Sequence, residues 1–203
     1  MNKQDFTVIL GTAHGSNIPG KRSPDGRLRE YAYSRETVAE VERRLKTDGY
    51  HVEVDLRSPV EPSLAYRVGV VNDLCKRRGA KRCCYVSIHV NAAGMGSKWM
   101  AAKYWTVWTS RGQTAGDKLA TCLWQAAHDL MPDTMPVKAD WRDGDADYES
   151  NFYVLKNTLC AAALTENLFQ DNRECVDWLL SDEGRQTITE IHVQGIKKYI
   201  ESL

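Results

Sequence analysis

The order in which two kinds of apolar pattern alternate along this chain restricts its fold more than any other feature. Compact apolar runs of strand length, FTVIL (6–10), HVEVDL (51–56), CCYVSIH (83–89) and CAAALTE (160–166), are separated by stretches whose apolar residues recur at helical spacing. From about Tyr31 to Asp48, Val38, Val41 and Leu45 share one helical stripe, and Gly49 supplies a stop. Pro62 can open a second helix, with Leu64, Val68, Val71 and Cys75 inward and Gly79 at its end. AAKYWTVW (101–108) reads as a further strand, and about Thr114 to Leu130 as a helix with Leu119, Leu123, Ala126 and Leu130 inward. After an irregular, Asp-rich stretch and the CAAALTE strand, two helical segments finish near Ile200. Strands that alternate with helices are joined by crossovers and therefore pair in parallel. The expected fold is α/β, a mostly parallel or mixed central sheet flanked by helices on both faces, in a single domain over residues 1–203.

Bulk properties exclude several functions. The chain is long enough to bury a sizeable core, and its 27 basic and 27 acidic residues cancel. A neutral chain lacks the electrostatic footprint of a duplex nucleic-acid binder or of a protein held on an anionic membrane. No apolar run is long enough to cross a bilayer. The opening MNKQDFTVIL has a strand-like segment where a signal peptide would carry its apolar core, so synthesis in the cytoplasm is expected. Six cysteines show no CxxC spacing, which argues against a zinc knuckle and for reduced, buried thiols.

In open α/β sheets ligands bind beyond the carboxyl ends of the strands. The first strand runs out into His14, CCYVSIH ends in His89, and CAAALTE ends in Glu166. Two imidazoles and a carboxylate delivered to one sheet edge are the residue types of a hydrolytic zinc site. A third metal ligand should be His, Glu or Asp. His51 opens a strand and should point outward, His128 shares a helix face with Thr121 and Gln125, and His192 lies beside the apolar stripe of the last helix. Glu30 is the better candidate, since the start of the first helix should lie at the same edge as the strand ends; Glu36 is its rival.

These pieces together resemble the type 3 family of zinc-dependent N-acetylmuramoyl-L-alanine amidases. TVILGTAHGS looks like the family's first-strand motif, GRLRE its second ligand position, VSIHVNAA its Ser-x-His-x-Asn-Ala signature, and AALTENLFQDN its closing strand; SLAYRVGVVNDL is similar to its Arg- and Asn-bearing helix, here Arg67 and Asn72. The resemblance implies a fold like that of zinc-dependent exopeptidases and one Zn²⁺ held by His14, Glu30 and His89. It also implies Glu166 as the catalytic residue, in hydrolysis of the amide bond between N-acetylmuramic acid and L-alanine. Ser87 and Asn91 flank His89 and are expected to orient it, and Arg142, in a loosely matching segment, to help bind substrate. The chain departs from the family where Thr12 and Ala13 precede His14, a place where relatives usually carry an acidic residue.

The expected partner is therefore peptidoglycan, with no nucleic acid and no stable membrane insertion, and the chain is expected to be a monomer. Its substrate lies outside the cytoplasm, which fits a phage or prophage lysis enzyme or the mature form of an exported one. Two rival readings are another zinc amidohydrolase or carboxypeptidase acting on small peptides, and an inactive wall-binding domain. Alternating aromatics in KYWTVW read as core and sheet surface.

Overall fold

The computed structural model describes residues 3–203. Four strands form the parallel part of its sheet: β1 (Thr7–Thr12), β2 (His51–Val54), β3 (Cys83–Asn91) and β6 (Ala161–Phe169). They are joined through α1 (Glu30–Thr47), α2 (Leu64–Arg78) and, between β3 and β6, a longer excursion containing α3 (Ala115–Leu130). That excursion adds β4 (Thr106–Thr109) antiparallel to β6, then β5 (Tyr148–Glu149) on β4. The six-stranded order is β2-β1-β3-β6-β4-β5, so the sheet is mixed, with β3 and β6 adjacent at its centre. A short α4 (Tyr153–Lys156) precedes β6, and α5 (Arg173–Leu179) and α6 (Asp182–Glu201) close the chain.

Alternation of side chains along the strands divides the core into two layers. On one face Val8, Leu10, Val86 and Ile88 pack beneath α1, α3 and α6 through Val38, Leu119, Leu123, Ile188 and Ile196. On the other, Ile9, Tyr85 and Leu164 meet Val68, Val71 and Cys75 of α2 and Leu155 of α4. Helices thus cover both faces. All six thiols are free, and five are buried.

Three local readings change. The strand expected over 101–108 is regular only from Thr106. The Trp105 N–H donates instead to Pro136 O at 2.8 Å and its carbonyl accepts from Lys138 N at 2.9 Å, so the approaching chain is held by residues 136–138. HVEVDL is strand only to Val54. CAAALTE does not stop at Glu166 but runs on to Phe169 through an irregularity: His89 pairs with Glu166, but Asn91 pairs with Phe169, and Leu168 adopts φ +63°.

Candidate metal centre

The Gly/Pro/Ser-rich loop after β1 folds back on itself. Ser23 and Leu28 close a turn through Ser23 N to Leu28 O (2.9 Å), and Glu30 N donates to Lys21 O (3.0 Å), which fixes where α1 begins. One turn later the buried Ser34 hydroxyl accepts from Ala13 N at 2.8 Å and donates to Ile88 O at 2.6 Å. A single side chain therefore ties α1 to the ends of both β1 and β3, and Glu30 enters the sheet edge between them.

His14, Glu30 and His89 converge there, each offering one ligand atom within 4.8 Å of the others. His89 Nδ1 lies 3.0 Å from Glu30 Oε1, and His14 Nε2 lies 3.6 Å from Glu30 Oε2. The two imidazoles meet edge to face, with centroids 5.4 Å apart. Ser87 holds the far side of its neighbour's ring, Oγ to His89 Nε2 at 3.1 Å, and Glu61 holds the far side of His14, Oε2 to Nδ1 at 3.4 Å. Glu36 points elsewhere and pairs with Arg185.

Glu30 is 2% exposed, and its Oε2 accepts no hydrogen bond. Burying a carboxylate oxygen without a donor is costly unless a cation compensates. Two neutral-capable imidazoles and one carboxylate are a nitrogen-and-oxygen donor set that suits zinc, and three protein ligands leave a fourth position free. The residues present therefore fit such an ion.

Burial would raise Glu30, yet the hydrogen bond and charge of His89 bring it below the ordinary carboxylate range. Burial would lower His89, yet Glu30 lifts it above its usual value. His14 is lowered, chiefly by burial. Glu166, opposite His89 in the β3–β6 ladder, is pushed up to about 8 by burial, helped by Glu30, and its Oε2 also lacks a donor. Glu166, His14 and His89 open into one cleft of about 260 Å³, bounded further by Lys21, Phe152 and Tyr153.

Of the remaining expected residues, Asn91 accepts from Ala92 N at 2.8 Å through its side-chain oxygen. Arg142 is paired with Asp140 on the surface and borders a different depression, with Arg111 and Glu149. Asn72 binds the backbone of Asn157 and Leu159, tying α2 to the start of β6.

Sequence reasoning missed Glu61, Ser34 and Asp55. Asp55, just past β2, accepts from Thr12 N (3.1 Å), Arg67 Nη1 (2.9 Å) and the Tyr85 hydroxyl (3.0 Å). Arg67 in turn donates to Thr12 O at 2.7 Å. A buried carboxylate thus braces the turn before His14, supplied by the neighbouring strand although position 12 is threonine. Gly15 permits the close packing of this turn on the following loop, because a Cβ there would lie 2.2 Å from Glu61 N.

Fold and cluster define an α/β protein with a carboxylate and two histidines gathered at the carboxyl edge of its sheet. The profile of the N-acetylmuramoyl-L-alanine amidases matches residues 8–198, and the chain belongs to that family. It is 26% identical over 196 residues to an endolysin of Bacillus phage SPP1, covering 95% of this chain and 65% of that protein. Its fold is similar to that of the N-acetylmuramoyl-L-alanine amidase from Clostridium difficile 630 (TM-score 0.80, 22% identity, 100% of this chain and 99% of the other). It is equally similar to that of the N-acetylmuramyl-L-alanine amidase from Mycobacterium smegmatis (TM-score 0.80, 18% identity, all of both chains).

Proposed function

We propose that this chain hydrolyses the amide bond between N-acetylmuramic acid and L-alanine in peptidoglycan, using one zinc ion held by His14, Glu30 and His89. The carrying observation is the buried, donor-less Oε2 of Glu30 between two imidazoles, with a second donor-less carboxyl, Glu166, on the cleft that those imidazoles line. When bound, zinc supplies Lewis-acid polarisation of the scissile carbonyl and acidifies water.

The chain's own residues do the rest. Ser87 and Glu61 fix the ring orientations of His89 and His14. Glu166 takes a proton from the attacking water at its free Oε2 and passes it to the departing amine of L-alanine. Burial raises the Glu166 carboxyl above the ordinary carboxylate range, which makes it a stronger proton acceptor when ionised, and a cation held beside it favours that ionised form. Leu64, Phe152 and Tyr153 give the cleft an apolar wall against which the substrate can pack and water be excluded, and Lys21 adds a cation for the acidic stem peptide.

The relation to a phage endolysin supports a lysis enzyme that reaches the wall after release from the cytoplasm, and the three proposed ligands and Glu166 all come from one chain, which supports a monomeric active unit. Digestion of purified peptidoglycan tests the reading. New L-alanine amino termini should appear without new reducing sugar ends, and Glu166→Gln should release neither. Cleavage between stem-peptide residues instead would move the chain to the peptidases.

A further inference from the structure

A second cluster of carboxylates lies away from the cleft, where β4, α3 and the Asp-rich loop meet. Asp117 in the first turn of α3, Asp145 and Asp147 bring carboxylate oxygens within 4.8 Å of one another. Asp147 is only 1% exposed. Its Oδ2 accepts from the Thr109 hydroxyl at the end of β4, but its Oδ1 is buried with no donor, and so is Oδ1 of Asp145. Asp117 is held in place by the capping box of α3, accepting from Thr114 N and Oγ1 at 2.6 Å each. Among the described residues, no basic side chain is paired with any of the three. Three carboxylates at this separation repel strongly unless a proton shared between Asp145 and Asp147, or a cation, lies among them.

We propose that this cluster is a second, structural cation site that takes Ca²⁺, with Asp117, Asp145 and Asp147 as ligands and the Thr109 oxygen beside them. The donors are all oxygen, with no imidazole or thiolate, which selects a hard cation over zinc. Two of them sit on an irregular loop around Gly144 (φ +108°), and such a loop adapts to the large, variable coordination shell of calcium more readily than to the strict octahedron of magnesium.

The site has a consequence for the cleft. From Asp147 the chain passes through β5, where Tyr148 packs on Trp108 with centroids 5.1 Å apart. Trp108 meets Phe152 at 5.6 Å, and Phe152 and Tyr153 form the cleft wall. A cation that fixes Asp145 and Asp147 to α3 therefore anchors the segment that carries that wall.

Calcium chloride is titrated into the zinc-loaded protein, with binding heat and thermal midpoint as readouts and equal concentrations of magnesium chloride as control. The expected result is a saturable, roughly stoichiometric calcium heat with a dissociation constant of about 10⁻⁵–10⁻³ M and a midpoint raised by several degrees. Magnesium should do neither. Asp145→Asn, at a partly exposed loop position and the milder of the two changes, should weaken calcium about tenfold or more, and Asp147→Asn should abolish the effect. The proposal is overturned if calcium up to about 10 mM produces no saturable heat and no shift. It is equally overturned if the response survives in Asp145→Asn and Asp147→Asn.

Discussion

His89 and His192 are both withdrawn from solvent and joined by one chain of hydrogen bonds, yet their partners drive them to opposite states. His192, on α6, is fully buried between neutral partners. Its Nδ1 meets Ile188 O at 2.7 Å, and a carbonyl only accepts, so Nδ1 carries the proton and Nε2 accepts from the Thr165 hydroxyl at 2.8 Å. Thr165 Oγ1 accepts from Asn167 Nδ2 at 3.1 Å, and the same amide donates to His89 O at 2.8 Å. Asn167 Oδ1 accepts from Trp105 Nε1 at 2.8 Å. Every polar group in that chain is satisfied, and burial holds the His192 pKa down to about 4. His89, at the far end of it, faces Glu30 and is lifted instead. Burial sets how strongly a histidine responds to its partner, and the partner sets the direction. The uncompensated end is the one that can bind a cation.

Removing one end of the comparison should therefore have far larger consequences than removing the other. His89→Ala deletes one of three proposed ligands, and zinc should fall from about one equivalent per chain to near none by elemental analysis after desalting. Tight stoichiometric zinc in that variant would break the ligand assignment. Glu166→Gln should keep the metal and lose turnover by about 10²–10⁴-fold on peptidoglycan, because it removes the proton acceptor without touching the ligands. Metal loss accompanying that substitution would instead make Glu166 a ligand.

The quiet end is exposed by acid. With a native pKa of about 4 against an ordinary value of 6.5, His192 binds fewer protons folded than unfolded. Its neutral form costs nothing above pH 6.5; as pH falls from there the unfolded chain gains a proton that the folded chain refuses. Stability should decline over that window by about 1.4 kcal/mol per pH unit, of order 3 kcal/mol in all, and level off below about pH 4. Denaturant unfolding at pH 7 and pH 4.5 checks it: His192→Gln should be less stable at pH 7 but show a shallower decline. Parallel declines in both proteins would mean that His192 is not held neutral.

How far the two ends could be read from the sequence differs for a physical reason. His14, His89 and Glu166 end apolar runs, a local pattern, and Glu30 follows from the rule that helix starts and strand ends share an edge. The groups that hold them are set by contacts across the fold. Ser34 acts on residues 21 and 54 positions away, and Asn167 reaches His89 O across 78. Nothing in the local sequence marks them. Arg142, exposed, pairs with Asp140 two residues back, a contact that its residue type alone does not announce. The strand expected over 101–108 starts late for a like reason, since the backbone of Trp105 is met by a segment more than thirty residues on in sequence.

Glu61 gives the finest test of how the charged end is built. It lies in the loop after β2, and its Oε2 is 3.4 Å from His14 Nδ1 while the other ring nitrogen faces Glu30. His14 itself adopts φ +40°, a conformation that costs energy for a residue with a Cβ and that its surroundings must maintain. If Glu61 orients the ring, then Glu61→Gln, which keeps an acceptor but removes the charge, should weaken zinc by about tenfold, and Glu61→Ala by up to about a hundredfold, measured by competition against a chelator of known affinity. The thermal midpoint of the metal-free protein should hardly move, because Glu61 is partly exposed and the bonds that tie its backbone to Asn17 stay in place. Unchanged affinity in both variants would show that the Thr12–Asp55–Arg67 brace and the backbone turn alone aim His14, and that the contrast with His192 rests on Glu30 alone.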